Sequence, residues 1–477
     1  MLRTDSNRTG GAASLIEEEK YHLFAACPVS KAVRKLALPS VIGQIILVIY
    51  NMADTFFIGM TGSDEMLTAV TICMPAFLLL SALSNLFGIG GAGMICRALG
   101  QKNADEARAV SGFSIWGCLL LSAGYILAAA LLLDPFIRLL GGTDALVHTY
   151  ARTYLLCTVV AFGASASMSA MFSHLIRAEG LAFQASFGIA MGGVLNLILD
   201  PLFMFVLLPE GQEIFGAALA TGLSNLAALV YYLAVIAARR KERSVICFRL
   251  SSSGLTRRLV RGVFSTGLPA CLMTLFENIS FMILDSLMAS HGIPYQAGLG
   301  VAKKINMLAH CITRGISQGV LPMIGYNYSA GNIKRMRRTI RRSMLLCVAS
   351  SVLCMAASIL FGRQLIGLFI QSGSEAVGYG ARFLTILCIG CPFSACAYAL
   401  ISFFQAVGCG RRSAVLALLR KGILDIPLMF LLRGMLRANA GAVVLATPIA
   451  DAVCCAVSLA LFVGFNRRTL SAHGRTH

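Results

Sequence analysis

Acidic side chains inside long apolar runs are the part of this sequence best suited to chemistry, because a charge in hydrocarbon is costly and marks a used or paired group. Asp54 lies in Tyr50-Asn-Met-Ala-Asp54-Thr-Phe-Phe-Ile-Gly59, and Asn51, three residues earlier, shares its helical face. Asn196 and Asp200 share a second face at i and i+4, with Pro201 next in the chain. Proline has no N–H for the carbonyl four residues back, so the Leu197 oxygen is open to a cation, a water or a side chain. Two carboxylates, a carboxamide and a freed carbonyl form a hard-oxygen set suited to a proton or a sodium ion. The plainer alternatives are a hydrated Asp54 at the outer end of its segment and a polar kink at Pro201 satisfied by neighbouring helices.

Further along, Glu277 and Asp285 fall roughly on one face two turns apart, and Glu277, eight residues after Pro269, is the deeper candidate. Lys303, Lys304, Arg382, Arg420, Lys421 and Asp425 give this second part a mixed-charge interior in which some opposite charges form ion pairs. Asp451 has no assigned role. No Cys or His grouping has metal-site spacing, and no nucleophile, base and orienting group recur as an enzyme would need.

The elements that must hold these groups repeat. Leu38-Pro39 through Asp54 and Leu268-Pro269 through Asp285 each follow a basic approach and open an apolar segment. Asn103 is matched by Asn332, and Arg177-Ala-Glu-Gly180 by Gln405-Ala-Val-Gly408, at nearly the same offset. This reads as an inverted pair of halves and points to a two-bundle membrane transporter. Of 477 residues 57% are hydrophobic and 13% charged, with mean hydropathy +0.78, so the bilayer is the solvent. About twelve spans of roughly 20 residues can be placed. They are read at 36–59, 67–96, 110–133, 147–176, 184–208, 214–238, 262–290, 296–326, 342–361, 376–408, 413–436 and 441–465. The expected fold is all-α: a tail at 1–30, a first six-helix bundle at 31–238, a linker at 239–257, a pseudo-symmetric second bundle at 258–465 and a tail at 466–477.

The net charge of +19 falls in blocks between apolar runs rather than along one amphipathic face, which argues against nucleic acid. Arg97, Lys102 and Arg108, then Arg239, Arg240, Lys241, Arg243 and Arg249, then Lys334, Arg335, Arg337 and Arg338 mark alternate loops as cytoplasmic, with both termini on that side. Arg138, Arg363, Arg433 and Arg437 depart from the pattern near outer ends. The sixteen cysteines lie in spans or near the cytoplasmic side, so disulfides are not expected.

An ordered set of segments resembles the multidrug and toxic compound extrusion (MATE) family. It comprises Asn51-Met-Ala-Asp54-Thr-Phe-Phe-Ile-Gly59, Arg97-Ala-Leu-Gly100-Gln-Lys-Asn103, Asn196-Leu-Ile-Leu-Asp200-Pro201 and Gly216-Ala-Ala-Leu-Ala-Thr221. The resemblance implies a plasma-membrane antiporter, a functional monomer without a resident cofactor, that admits H+ or Na+ as organic, often cationic lipophilic compounds leave. By match, Asp54, Asn196 and Asp200 form the cation site of the DinF-like branch, which could hold Na+, with Thr221 and the Ala217 carbonyl as weaker members. Glu277 takes the place of the span-seven glutamate of the NorM-like branch. Cys396 stands where that branch has an aspartate, so the first half is favoured for coupling. A lipid or lipid-linked oligosaccharide flippase is the alternative, supported by Lys303, Lys304, Arg420 and Lys421.

Overall fold

The computed structural model describes residues 21–139, 144–239, 244–249, 256–370, 375–435 and 440–473, and these contain helices and no strands. Most of the expected N-terminal tail, the linker residues Arg240, Lys241 and Arg243, and Arg437 lie outside the described residues. Apolar segments become helices because, away from water, each backbone polar group must be satisfied within its own segment. The first half contains α1 (Val29–Met60), α2 (Asp64–Gly100), α3 (Ala104–Leu131), α4 (Ala145–Leu155), α5 (Gly163–Ala178), α6 (Ala182–Leu202) and α7 (Glu213–Ala238). The second contains α8 (Arg257–Ala289), α9 (Ile293–Ser329), α10 (Ile333–Gly367), α11 (Glu375–Ala406), α12 (Gly410–Leu418), α13 (Ile426–Met435) and α14 (Ala446–His473). π-Helical turns follow α6 at Phe203–Leu207, just beyond Pro201, and join α12 to α13 at Leu419–Asp425.

The repeated landmarks do the same structural work in both halves. Asn103 and Asn332 are the N-caps of α3 and α10, accepting from the Glu106 and Arg335 amides. The residue before each is left-handed, Lys102 at φ 57° and Gly331 at φ 75°. Gly180 and Gly408 close the third pair of landmarks at φ 86° and 78°.

Close helix crossings set the direction of the repeat. Gly315 lies on Val41 and Gly319 on Leu36 and Ala37, so α9 runs antiparallel to α1. Gly262 lies on Met94 and Gly267 on Leu86, so α8 runs antiparallel to α2. Gly325 lies on Cys96 and Gly100 on Tyr326 and Ser329, which makes α9 and α2 parallel. It follows that α1 and α8 point the same way. The halves repeat in one sense and are not inverted; the sequence carries the landmarks but not their direction, which the packing supplies. At Gly267 a Cβ would fall 1.8 Å from the Leu86 carbonyl oxygen, so this crossing requires glycine. Along the same seam the Arg97 guanidinium donates to the Gln405 and Ala406 carbonyls and to the Thr266 hydroxyl at 3.0–3.2 Å.

Among the described residues nine helices are long and apolar enough to cross a membrane, and α4 with α5, bent by 51°, makes a tenth. The two other segments read as spans fall outside that group because of what they carry. Lys303, Lys304 and Arg314 lie within α9, and Arg420, Lys421 and Asp425 lie in the π-turn between α12 and α13. All sixteen cysteines are free thiols.

Candidate functional site

The turn after Pro201 places α7 against α6. Gly216 packs on the backbone of Phe203 and Met204, where a Cβ would come within 3.0 Å, and this close approach brings Thr221 beside Asn196. The Asn196 amide donates to Asp200 Oδ1 at 3.0 Å and to Thr221 Oγ1 at 3.3 Å. Asn196 is 2% exposed and Asp200 0%, yet among the described residues Asn196 Oδ1 and Asp200 Oδ2 have no hydrogen-bond partner. Asp54 Oδ1 on α1 is a third buried oxygen without one. Asp54 and Asp200 lie within electrostatic reach of each other, and Tyr50 and Tyr154 sense both.

The structure thus joins Asn196, Asp200 and Thr221 by hydrogen bonds, with Asp54 within electrostatic reach of Asp200 and Ala217 fully buried one turn before Thr221. Asn51 makes no hydrogen bond to them among the described residues: it is exposed, and its amide donates at 2.6 Å to the Leu47 carbonyl of its own helix. Among the described residues no group of three or more His, Cys, Asp or Glu could hold a metal ion. Two carboxylates and an amide, with three oxygens lacking donors, fit a proton or a small monovalent cation rather than a tightly held divalent one.

Four acids inside the second half, Glu277, Asp285, Asp425 and Asp451, each hold a base. Glu277 receives the Arg314 guanidinium at 2.9 Å, and that guanidinium also lies 5.8 Å from the centre of the Tyr398 ring. Arg420 pairs with Asp451 at 2.7 Å and donates to Ser394 at 2.6 Å. Lys421 pairs with Asp425 at 2.7 Å, and Asp425 also accepts from Ser280 and Thr447. Lys303 pairs with Asp285. Lys304 forms no ion pair among the described residues and lies within electrostatic reach of Asp54. Cys396 is buried and contacts the Met344 thioether. Arg314 is the residue that sequence reasoning missed. The criterion that singled out the acids, charge inside an apolar segment, applied to it equally.

Asn196 and Thr221 also line a cavity of about 230 Å³ bounded by α1, α2, α5, α6, α7 and α9. It is mostly apolar, with Asn85, His174, Arg177 and Arg314 among its polar walls. Its volume is smaller than that of most drug-sized pockets.

The family model MatE matches residues 39–202 and again 269–431. The second match begins 230 positions after the first, at Pro269 as against Pro39. The multidrug export protein MepA of Staphylococcus saprophyticus is 28% identical over 445 residues, covering 92% of this chain and 94% of the relative. MepA of Staphylococcus aureus aligns to the same extent. A MOP superfamily transporter from Pyrococcus furiosus, whose structure is described as having a binding pocket of reversed polarity, superposes with TM-score 0.86 at 22% identity over 95% of this chain and 98% of its own. A MATE crystal structure in complex with MaL6 superposes with TM-score 0.85, also at 22% identity, over 95% of this chain and 98% of its own. These relatives are export proteins and transporters, not enzymes.

Proposed function

Because this chain belongs to the MatE family, we propose that it is a cation-coupled exporter of organic, often cationic lipophilic compounds, in which H+ or Na+ is taken up at Asp54, Asn196 and Asp200. One observation carries the proposal: among the described residues neither acid of this site forms an ion pair, in an interior where every second-half acid named above is ion-paired. Two carboxylates held close in a dry site repel when both are ionised, so binding one cation is favoured. A cationic compound entering the adjoining cavity competes for the same negative charge. If each ligand favours a different arrangement of α1, α6 and α7, their exchange drives alternating access. The MepA relatives, named as multidrug export proteins, support the substrate class.

The same proposal includes α9 and the α12–α13 segment as spans, giving two bundles of six, with both termini cytoplasmic in the plasma membrane and the monomer as the working unit. Of the charges within these two segments, Lys303, Arg314, Arg420 and Lys421 are neutralised by Asp285, Glu277, Asp451 and Asp425, which lowers the cost of burying them. The flippase alternative loses support for the same reason. Of the four bases that suggested a basic cavity, Lys303, Arg420 and Lys421 are each held by an acid.

Proteoliposomes loaded with an organic cation, with the proton and sodium gradients imposed separately, test this reading. Export driven by one of the gradients is expected. Export indifferent to both would refute coupling.

A further inference from the structure

Arg177 stands out among the bases of the described residues. It is 2% exposed at the end of α5, lines the cavity described above, and its Nε, Nη1 and Nη2 all lack a hydrogen-bond partner among the described residues. Other interior bases have partners: Arg420 and Lys421 are held by carboxylates and the part-buried Arg97 by carbonyls. The acid nearest in sequence, Glu179, is occupied by the Ser244 hydroxyl and the Val245 amide. Around Arg177 the cavity wall offers His174, Ser173 and Tyr232. The Tyr232 hydroxyl donates to the Ala185 carbonyl and that of Ser173 to the Ala170 carbonyl, so neither supplies negative charge. A guanidinium with five donors, buried and unpaired, is strongly unfavourable unless an anion completes it.

We infer that the Arg177 end of this cavity is an anion subsite that takes a carboxylate group, so that the cavity is bipolar. A planar carboxylate matches the guanidinium fork with two parallel hydrogen bonds. One guanidinium balances one negative charge, which disfavours a dianionic phosphate. The opposite end is marked by Asn196 and Thr221. Gly188, packed on the Tyr232 ring, and Asn196 are eight residues apart on α6, or about 12 Å at 1.5 Å per residue. The subsite adds a specificity-determining residue to the cavity used by the transport reading and rests on that reading for its purpose, but its test needs no transport.

The purified full-length chain is unfolded thermally with benzoate or with benzamide, its neutral counterpart, at constant ionic strength. Benzoate is expected to give a saturable rise in Tm that benzamide does not. Arg177→Gln should abolish the benzoate shift, and Arg177→Lys should keep part of it. Without ligand, Arg177→Gln should unfold at or above the wild-type temperature, because it removes an uncompensated buried charge; a purely structural arginine would give a lower one. Equal protection by benzamide, no protection by benzoate, or a benzoate shift surviving in Arg177→Gln overturns the subsite. Should Arg177→Gln fail to fold, the wild-type comparison and Arg177→Lys still decide. Benzoate binding without gradient-driven export would instead refute the transport reading and leave the subsite standing.

Discussion

The two halves hold polar groups at corresponding places and treat them in opposite ways. Asp54 corresponds to Asp285 at an offset of 231, Asn196 to Asp425 at 229 and Thr221 to Asp451 at 230, close to the offset of 230 between the two family matches. In the second half each of these positions is an acid, and each has its own base: Lys303, Lys421 and Arg420. In the first half the acids are Asp54 and Asp200, neither forms an ion pair among the described residues, and three oxygens remain without donors. A side chain that neutralises an acid permanently does what an exchangeable cation would do, but cannot leave. The second half is therefore read as locked and the first as loadable, so substitutions should damage folding in one half and coupling in the other.

The largest expected effect is Asp451→Asn. It leaves Arg420 buried beside a neutral amide, and breaking a buried pair costs about 3–5 kcal/mol. Thermal unfolding of the purified protein should show a large fall in Tm; a stable variant that has lost only gradient-driven transport would place exchangeable charge in the second half. Next comes Asp54→Asn, expected to reduce gradient-driven export by about a hundredfold, equivalent to about 2.7 kcal/mol. Its Tm should change little, because no ion pair is lost, and the Asp200 repulsion it relieves offsets the Lys304 attraction it removes. Wild-type export at matched expression would exclude Asp54 from coupling. Glu277→Gln should act more mildly. Arg314 keeps its place over the Tyr398 ring and its side chain is 33% exposed, so a loss of about threefold in export, about 0.7 kcal/mol, is expected. Loss equal to that of Asp54→Asn would move the coupling site. Lys303→Gln should be smallest: the Asp285 side chain is 42% exposed, and such pairs contribute about 0–1 kcal/mol, a change read by the same unfolding assay.

Much of the first-half site could be read from the chain because it depends on short-range geometry. Asn196 and Asp200 share a face at i and i+4, and Pro201 marks the break, so their hydrogen bond follows from helix periodicity. Asn51 shows the limit of that reasoning: spacing puts it on the face of Asp54, but its amide is spent on the Leu47 carbonyl. Pairings across the bundle could not be read. Arg314 meets Glu277 from 37 positions away, and Arg420 meets Asp451 from 31, distances at which no periodicity constrains a partner. Arg177 was visible only as a repeat landmark; its burial arises where α5, α6 and α7 enclose it. The sense of the repeat likewise came from glycine contacts between α1, α2, α8 and α9.

Cation release on the purified protein decides whether the Asp54 and Asp200 pair is the loadable cation site. An organic cation such as tetraphenylphosphonium is added in weakly buffered solution, and the protons set free, or the radioactive sodium displaced, are counted. Wild-type and Glu277→Gln protein should release the cation on ligand binding, and the Asp54→Asn, Asp200→Asn double variant should bind no exchangeable cation and release none. Release that persists in the double variant, or that disappears in Glu277→Gln alone, would place the exchangeable cation elsewhere.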